Sequence, residues 1–310
     1  MKKAIVTTTI NAPTEATLKF CKLSDWFFFI VGDLKTPHNQ YHELEKKYPN
    51  IHYLTPEYQE KKYKELSDSI GWGCIQRRNI GFVEAYNLGA DIIATVDDDN
   101  IPYDYWGDEI LVGQEIEVDV YNPKMEVFDP LSVTKDNYLW HRGYPIQLLK
   151  ERLVVEYKGR EKRKVLVQAD LWNGDPDIDA IARLGFAQPI VDYFDVIKPY
   201  CSTKIAPFNS QNTFLAREVM PYYAVLPHIG RLDDIWGAYI LQHYFPNSVI
   251  FNKPTVYQAR NEQDLIKNLE KEILGYRMSL KFATDISNFE KNLPEEAMNF
   301  YRIYRKQYNI

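Results

Sequence analysis

Cysteine is scarce. The chain has three in 310 residues, Cys21, Cys74 and Cys201, and no two lie at a metal-knuckle spacing. An odd and scattered set excludes a disulfide-built scaffold and fits a reducing compartment, so the expectation is a cytoplasmic protein. Long hydrophobic runs are missing too: no stretch approaches the roughly 20 apolar residues of a membrane-spanning helix. The opening MKKAIVTTTI places two lysines before an apolar run, but that run is short, rich in threonine and followed by NAPTEA, so it reads as a first strand rather than a targeting segment. Nor is there an excess of positive charge. With 37 Lys and Arg against 43 Asp and Glu, the formal net charge is −6, which excludes the basic face of a general nucleic-acid binder. Internal repeats, low-complexity tracts and Gly/Ser linkers are absent, which favours one composite domain over two.

What is present is an ordinary globular composition: 45% hydrophobic residues, enough for a substantial core, and 14% aromatic, with 23 tyrosines. Most of those rings belong in a core; some could line a sugar site. Strand-like and helix-like segments alternate. Residues 4–8 and 26–31 (WFFFIV) read as buried strands. Residues 13–22, 56–69 and 74–88 read as helices, the last with Ile75, Phe82 and Tyr86 on one stripe and Gly89 as its stop. Beyond residue 100 the texture turns to Pro, Gly, Tyr and mixed charge. EIEVDVYNP and KVLVQADLW look like strands and NPKMEVFDP like an irregular linker, while residues 264–310 have helical spacing. Strands alternating with helices predict an α/β fold: a mostly parallel central sheet with helices on both faces and helices at the C-terminal end.

The most informative stretch is ADIIATVDDDNIP, residues 90–102. Ile92–Val96 forms a short β-branched strand, and Asp97, Asp98 and Asp99 end it. Stacked carboxylates are costly unless paired or metal-bound. A hard divalent cation, Mn²⁺ or Mg²⁺, prefers oxygen ligands and keeps positions open for phosphates, and open α/β sheets bind ligands at the carboxyl ends of their strands. The plainer alternative is a solvated acidic turn.

RRNIGFVEAYNLGADIIATVDDDN, residues 77–100, resembles the helix, strand and acidic motif of GT-A glycosyltransferases. WHRGYPIQLL, NGDPDIDA, APFNSQNTF and GRLDDIWGAY are similar, in order, to segments of the plant reversibly glycosylated polypeptides, the UDP-arabinopyranose mutases. They also resemble the glycosyltransferase domain of the STELLO proteins. The resemblance spans roughly residues 4–260. It implies a nucleotide-sugar and acceptor domain over residues 1–260, with residues 261–310 as a helical extension packed on it.

The resemblance also implies roles. Asp97 and Asp99 match the DXD positions and would hold the metal, with Asp97 reaching metal or ribose. Asp98 points to the opposite face if strand alternation continues; it is counted with the donor site, a structural role being its alternative. Arg78, or Arg77 in its place, would face the donor diphosphate. Asp33 would accept a hydrogen bond from the base, and Thr7 and Thr8 would contact base or ribose. Asp234 or Asp233 would serve as general base, Asp234 being the first choice, with helix capping as the alternative. Arg142 matches the arginine glycosylated in the plant mutases, but a substrate-binding arginine is preferred, since a free guanidinium is a poor nucleophile. Asp177 and Asp179, from the run that begins at Asp175, are assigned to the sugar site, with Asn209, Gln211 and Asn212 facing them. One position departs from the mutase pattern: Gln258 stands where that group has a histidine able to act as third metal ligand. His228 and His243 read as structural.

The implied activity is a metal-dependent, inverting glycosyltransferase using a nucleoside diphosphate sugar, UDP-sugar first. Its partners would be that donor and a carbohydrate or glycoconjugate acceptor, with no nucleic acid and no integral membrane segment; an oligomer is left open. A pyranose/furanose mutase and a non-catalytic nucleotide-sugar binder are the competing readings.

Overall fold

The computed structural model describes residues 1–260 and 263–310. Its first part is a run of β/α units: β1 (Lys3–Thr9), α1 (Glu15–Cys21), β2 (Phe27–Gly32), α2 (His38–Lys47), β3 (Ile51–Leu54), α3 (Pro56–Lys62), α4 (Lys64–Ile70), α5 (Arg78–Asn87), β4 (Ile92–Val96) and β5 (Asn100–Pro102). There follow β6 (Glu115–Pro123), β7 (Val155–Lys164), β8 (Val167–Gly174), α6 (Ala180–Gly185), β9 (Tyr200–Ser202), β10 (Asn212–Ala216), α7 (Asp233–Tyr244) and β11 (Val249–Gln258). The chain closes with α8 (Leu265–Thr284), α9 (Phe289–Asn292) and α10 (Glu295–Lys306).

The expected α/β architecture is what folds. One large sheet, flanked by helices, runs in the order β3-β2-β1-β4-β10-β8-β11-β9-β6-β7, with β5 paired to β11. The strands β3, β2, β1 and β4 are mutually parallel, as βαβ crossovers require. Strand β10 runs antiparallel between β4 and β8, and β8 pairs in parallel with β11. This insertion matters for the site. Because Asn212 pairs with Val96, the loop leading into β10 arrives at the end of the strand that carries the aspartates.

Local sequence explains several boundaries. Thr14 and Thr55 cap α1 and α3 by accepting the Thr17 and Tyr58 amides, and Pro56 takes the first turn of α3. Two expectations are adjusted. Residues 56–69 form two helices rather than one, broken at Tyr63, whose φ is −128° and whose side chain is buried in the core. Residues 74–88 are not amphipathic. They begin as a 3₁₀ turn at Ile75–Arg77, Ile75 stays exposed, and α5 is buried on every side from Arg78 to Ala85. That helix is sandwiched. On one side Gly81 lies so close to β1 that a β-carbon would sit 2.5 Å from Val6 Cγ1. On the other, Asn79 exchanges hydrogen bonds with the Val225 amide and carbonyl.

The C-terminal helices pack onto this body: α8 against α6 and the turn before α7, with Phe282 stacked on Trp236 at 4.3 Å, and α10 against α4. Among the described residues no helix is long and apolar enough to cross a membrane.

Candidate functional site

At the carboxyl ends of β1 and β4 lies a cleft of about 530 Å³. Thr8 comes to it from β1, Gly73–Gln76 and Arg78 from the entry to α5, and Asp97–Asp99 from the end of β4. Arg142, Asp177, Ser210 and Gln211 reach it from the long insertions. His228, Gly230 and Arg231 contribute from the turn before α7, Asp233 and Asp234 from its start, Gln258 and Arg260 from the end of β11, and Lys271 from α8.

The three aspartates divide their work. Asp97 is ion-paired with Arg78, which is itself buried and donates to Thr95 Oγ1 at 3.1 Å and to the Ser210 carbonyl at 2.6 Å. Asp98 turns toward the β1–α1 loop, accepting Thr9 Oγ1 at 2.5 Å and Asn11 Nδ2 at 2.9 Å. Asp99 Oδ1 is buried with no hydrogen-bond partner among the described residues, and burial together with the neighbouring Asp97 pushes its carboxyl up to about 7. Beside it, β11 places Gln258 opposite Asn100, and the Ala259 amide donates to the Asp99 carbonyl at 3.0 Å. Gln258 is 1% exposed, yet among the described residues neither its Oε1 nor its Nε2 has a partner.

A desolvated carboxylate and an orphaned amide oxygen, both lining one cleft, are a donor set suited to a hard cation. Among the described residues no three His, Cys, Asp or Glu side chains converge into a ready-made cage. The residues present would therefore fit only an open site, in which Asp99, Asp97 and Gln258 could supply protein oxygens and substrate or water the rest.

The floor is a second network, centred on Arg142. Its Nε donates to Asp177 Oδ1 at 2.9 Å, and its two terminal nitrogens grip Asp234 in a fork, 3.0 Å to each oxygen. A further bond goes to the Arg231 carbonyl. Asp177 also accepts Asn209 Nδ2 at 2.8 Å, and Asp234 the Ser210 amide at 2.9 Å and hydroxyl at 3.1 Å. Burial opposes the charged form of Asp234, and the Arg142 guanidinium more than offsets it, holding the carboxyl below the usual range. Asp233 has a different fate. It accepts Gln76 Nε2 at 2.6 Å, and burial plus the adjacent Asp234 push its carboxyl up to about 7. Of this pair, expected to include the base with Asp234 as first choice, Asp233 is the one poised to take up a proton near neutral pH. Asp234 has both oxygens engaged by Arg142.

Of the other expected residues, Arg77, Asp33, Thr7, Asp179 and Asn212 lie outside the cleft lining. Arg77 is buried away from the cleft, donating to Gln59 and Ser67 with Trp72 stacked 3.6 Å over its guanidinium. Asp33 is 2% exposed and accepts the Leu34 amide at 2.6 Å and the Gly73 amide at 2.8 Å. Thr7 is enclosed in β1, while the Thr8 hydroxyl donates to the Val31 carbonyl at the cleft edge. Asp179 caps α6 through the Ala182 amide and accepts Trp140 Nε1, outside the cleft lining. Asn212 is spent inside the sheet on Trp106, Leu171 and Thr255. Arg78 and Arg142, expected as substrate-binding arginines, have their charges committed to aspartates of the site itself.

Sequence reasoning did not single out Gln76, Ser210, Arg231, Arg260 or Lys271, and it read His228 as structural. His228 lines the cleft at a φ of +69°, its Nε2 3.0 Å from the Ser69 carbonyl. Arg231 and Ser210 lay inside the segments GRLDDIWGAY and APFNSQNTF, and Arg260 two residues past Gln258, so proximity to a motif was the available signal.

No protein-family model matches the chain, and no curated protein matches it either. Solved structures do. Glucosyl-3-phosphoglycerate synthase from Mycobacterium tuberculosis, in complex with Mn²⁺, uridine-diphosphate-glucose and phosphoglyceric acid, aligns with 90% of this chain and 79% of its own, at 11% identity and a TM-score of 0.48. A mannosyltransferase from Pyrobaculum calidifontis, in complex with GDP-Man and Mn²⁺, aligns with 98% of this chain and 73% of its own, at 10% identity and a TM-score of 0.45. The chain is similar to both in outline.

Proposed function

We propose that the protein is a divalent-cation-dependent glycosyltransferase that takes its sugar from a nucleoside diphosphate donor, a UDP-sugar being the first to test. One observation carries the reading: a buried Asp99 oxygen and the Gln258 amide, both without a hydrogen-bond partner among the described residues, share a cleft with a second buried carboxyl pair, one member held ionised and the other poised near neutrality. The first cluster suits a cation and diphosphate, the second proton transfer.

Asp99, Asp97 and Gln258 would hold Mn²⁺ or Mg²⁺, which supplies charge neutralisation for the departing diphosphate. Arg260, ion-paired with Asp175 at 2.8 Å, also acts electrostatically on Asp99 and so places a fixed positive charge on that side of the cleft. Arg78 keeps Asp97 oriented. In an inverting transfer the acceptor O–H bond breaks and its proton passes to Asp233, while that oxygen forms the new bond to the anomeric carbon. The bond from that carbon to the diphosphate oxygen breaks, and its electron pair leaves with the nucleoside diphosphate. Asp234, kept ionised by Arg142, raises the proton affinity of Asp233, and the charge of Arg142 itself opposes that only in part. Every nitrogen of Arg142 is hydrogen-bonded and the residue is 6% exposed, which favours this role over that of a glycosylated intermediate.

The test is incubation of the purified protein with a panel of nucleoside diphosphate sugars and Mn²⁺, followed by mass spectrometry and NMR of the products. Free nucleoside diphosphate with a product of inverted anomeric configuration is expected. A donor isomer of unchanged mass would replace the reading with a mutase, and tight donor binding without turnover would replace it with a non-catalytic binder.

A further inference from the structure

One wall of the cleft has no task in the reaction above. Arg231, in the turn before α7, and Lys271, on α8, line it together with Gly230. The wall is built rather than incidental. Arg231 Nε donates to Glu272 Oε1 at 2.9 Å, and the Glu272 side chain is 1% exposed. The other oxygen of Glu272 accepts the Ala180 amide at 2.7 Å and the Tyr276 hydroxyl at 2.6 Å, so this carboxylate is anchored at both ends. Gly230 has a φ of +76°, and a β-carbon there would lie 2.1 Å from the Lys271 carbonyl oxygen. Only glycine lets the turn sit directly against the α8 backbone, and that contact sets Arg231 beside Lys271.

Among the described residues the two terminal nitrogens of Arg231 have no side-chain or backbone acceptor, and Lys271 has no ion-pair partner. A guanidinium clamped at Nε by a buried carboxylate keeps its remaining donors in a fixed plane, the geometry that matches phosphate or carboxylate oxygens. The cleft's cations also divide between its two ends. Arg260 acts on Asp99, where the donor diphosphate would lie, whereas Arg231 acts on Asp233, at the end where a hydroxyl would be deprotonated.

We propose that this wall is an anion subsite for the acceptor: the second substrate carries a phosphate or carboxylate that docks on Arg231, with Lys271 beside it, and so presents a neighbouring hydroxyl to Asp233. The inference rests on the transferase reading for which substrate is bound, but the anion site itself is tested without donor. A neutral sugar would leave the Arg231 donors to water, and an acceptor with an anionic group would take them up.

The experiment is a calorimetric titration of the full chain with three compounds that share a carbon skeleton and differ in charge: glycerol 1-phosphate, glycerate and glycerol. Both anions should bind and glycerol should not; the tighter anion identifies phosphate or carboxylate as the natural group. Arg231→Met should weaken the tighter anion by about tenfold or more, the size of a lost charged hydrogen bond. Lys271→Met, at an exposed helix position that leaves the Glu272 anchor intact, should weaken it by a smaller factor. In both variants the affinity for nucleoside diphosphate with Mn²⁺ should stay within about twofold of the parent's. Anions binding no better than glycerol would overturn the proposal. So would an Arg231→Met variant that loses nucleotide and keeps anion, since that places Arg231 in the donor site. A parent that binds the anion through Arg231 but no nucleotide would keep the anion site and overturn the transferase reading instead.

Discussion

Replacing Asp233 by Asn separates catalysis from stability in a way that few other roles would produce. The side chain is buried, and its carboxyl is raised from the ordinary 3.8 to about 7 by burial and by Asp234. A group whose folded pKa lies above its unfolded value makes the folded state bind more protons between those two values, so the parent loses stability as pH rises from about 4 to 7. At about 1.4 kcal/mol for each pH unit, the loss reaches about 4 kcal/mol by pH 7 as a ceiling. Asparagine keeps the size and can still accept the 2.6 Å hydrogen bond from Gln76. At pH 4 the parent's Asp233 is itself protonated, so the two side chains there are both neutral and differ only in the hydrogen bonds they donate. Asp233→Asn should therefore melt with the parent or slightly below it at pH 4, and above it at pH 8, with the gap opening between. Turnover should nevertheless fall by about 10²-fold or more, the loss of a positioned base. Thermal unfolding across pH 4–8, with initial rates at pH 7.5, checks both. A melting difference that does not vary with pH, or near-normal turnover, would refute the assignment.

Arg142→Met strands two buried carboxylates, Asp177 and Asp234, and should cost about 3–5 kcal/mol in urea unfolding at pH 7. Both carboxyls are held below their usual range in the parent, so the deficit should shrink as pH falls below about 4. Asp99→Asn should abolish calorimetric Mn²⁺ binding, while raising the melting temperature of metal-free protein at pH 8, where the parent buries a charge; Gln258→Ala should weaken Mn²⁺ without abolishing it. Mn²⁺ affinity equal to the parent's in both variants would remove these residues from the cation site. Gly237→Ala should cost about 3 kcal/mol or more, read by denaturant midpoint, because a β-carbon there would meet the Ala224 carbonyl oxygen at 2.0 Å.

Sequence alone determined the local and periodic features. The strands over residues 4–8, 26–31 and 92–96 are encoded by β-branched and aromatic runs between breakers, and each folds within a residue or so of its expected span. The acidic end of β4 was legible because three adjacent carboxylates after a buried strand have few stable explanations. The motif segments also named most of the charged residues that line the cleft. Strands β10 and β11 were not legible as elements. Asn212 and Thr213 open β10, and Asn252, Lys253 and Pro254 interrupt β11, so neither reads as an apolar run, and their place in the sheet comes from pairing with strands far away in sequence.

Tertiary structure decided which charges were free. Arg78, Arg142 and Asp234 all look like reactive groups in a linear chain, but each is committed to a partner brought in from a distant segment. Asp33 and Asn212 are likewise consumed by backbone and side chains. Conversely, among the described residues Asp99, Gln258, Asp233 and Arg231 carry the unmet chemistry, through orphaned atoms, a raised carboxyl and unpaired donors. The reason is physical. Residue type and spacing set what a side chain can do, whereas burial and the distance to the nearest opposite charge set whether that capacity is spent, and both of those exist only once the chain has folded.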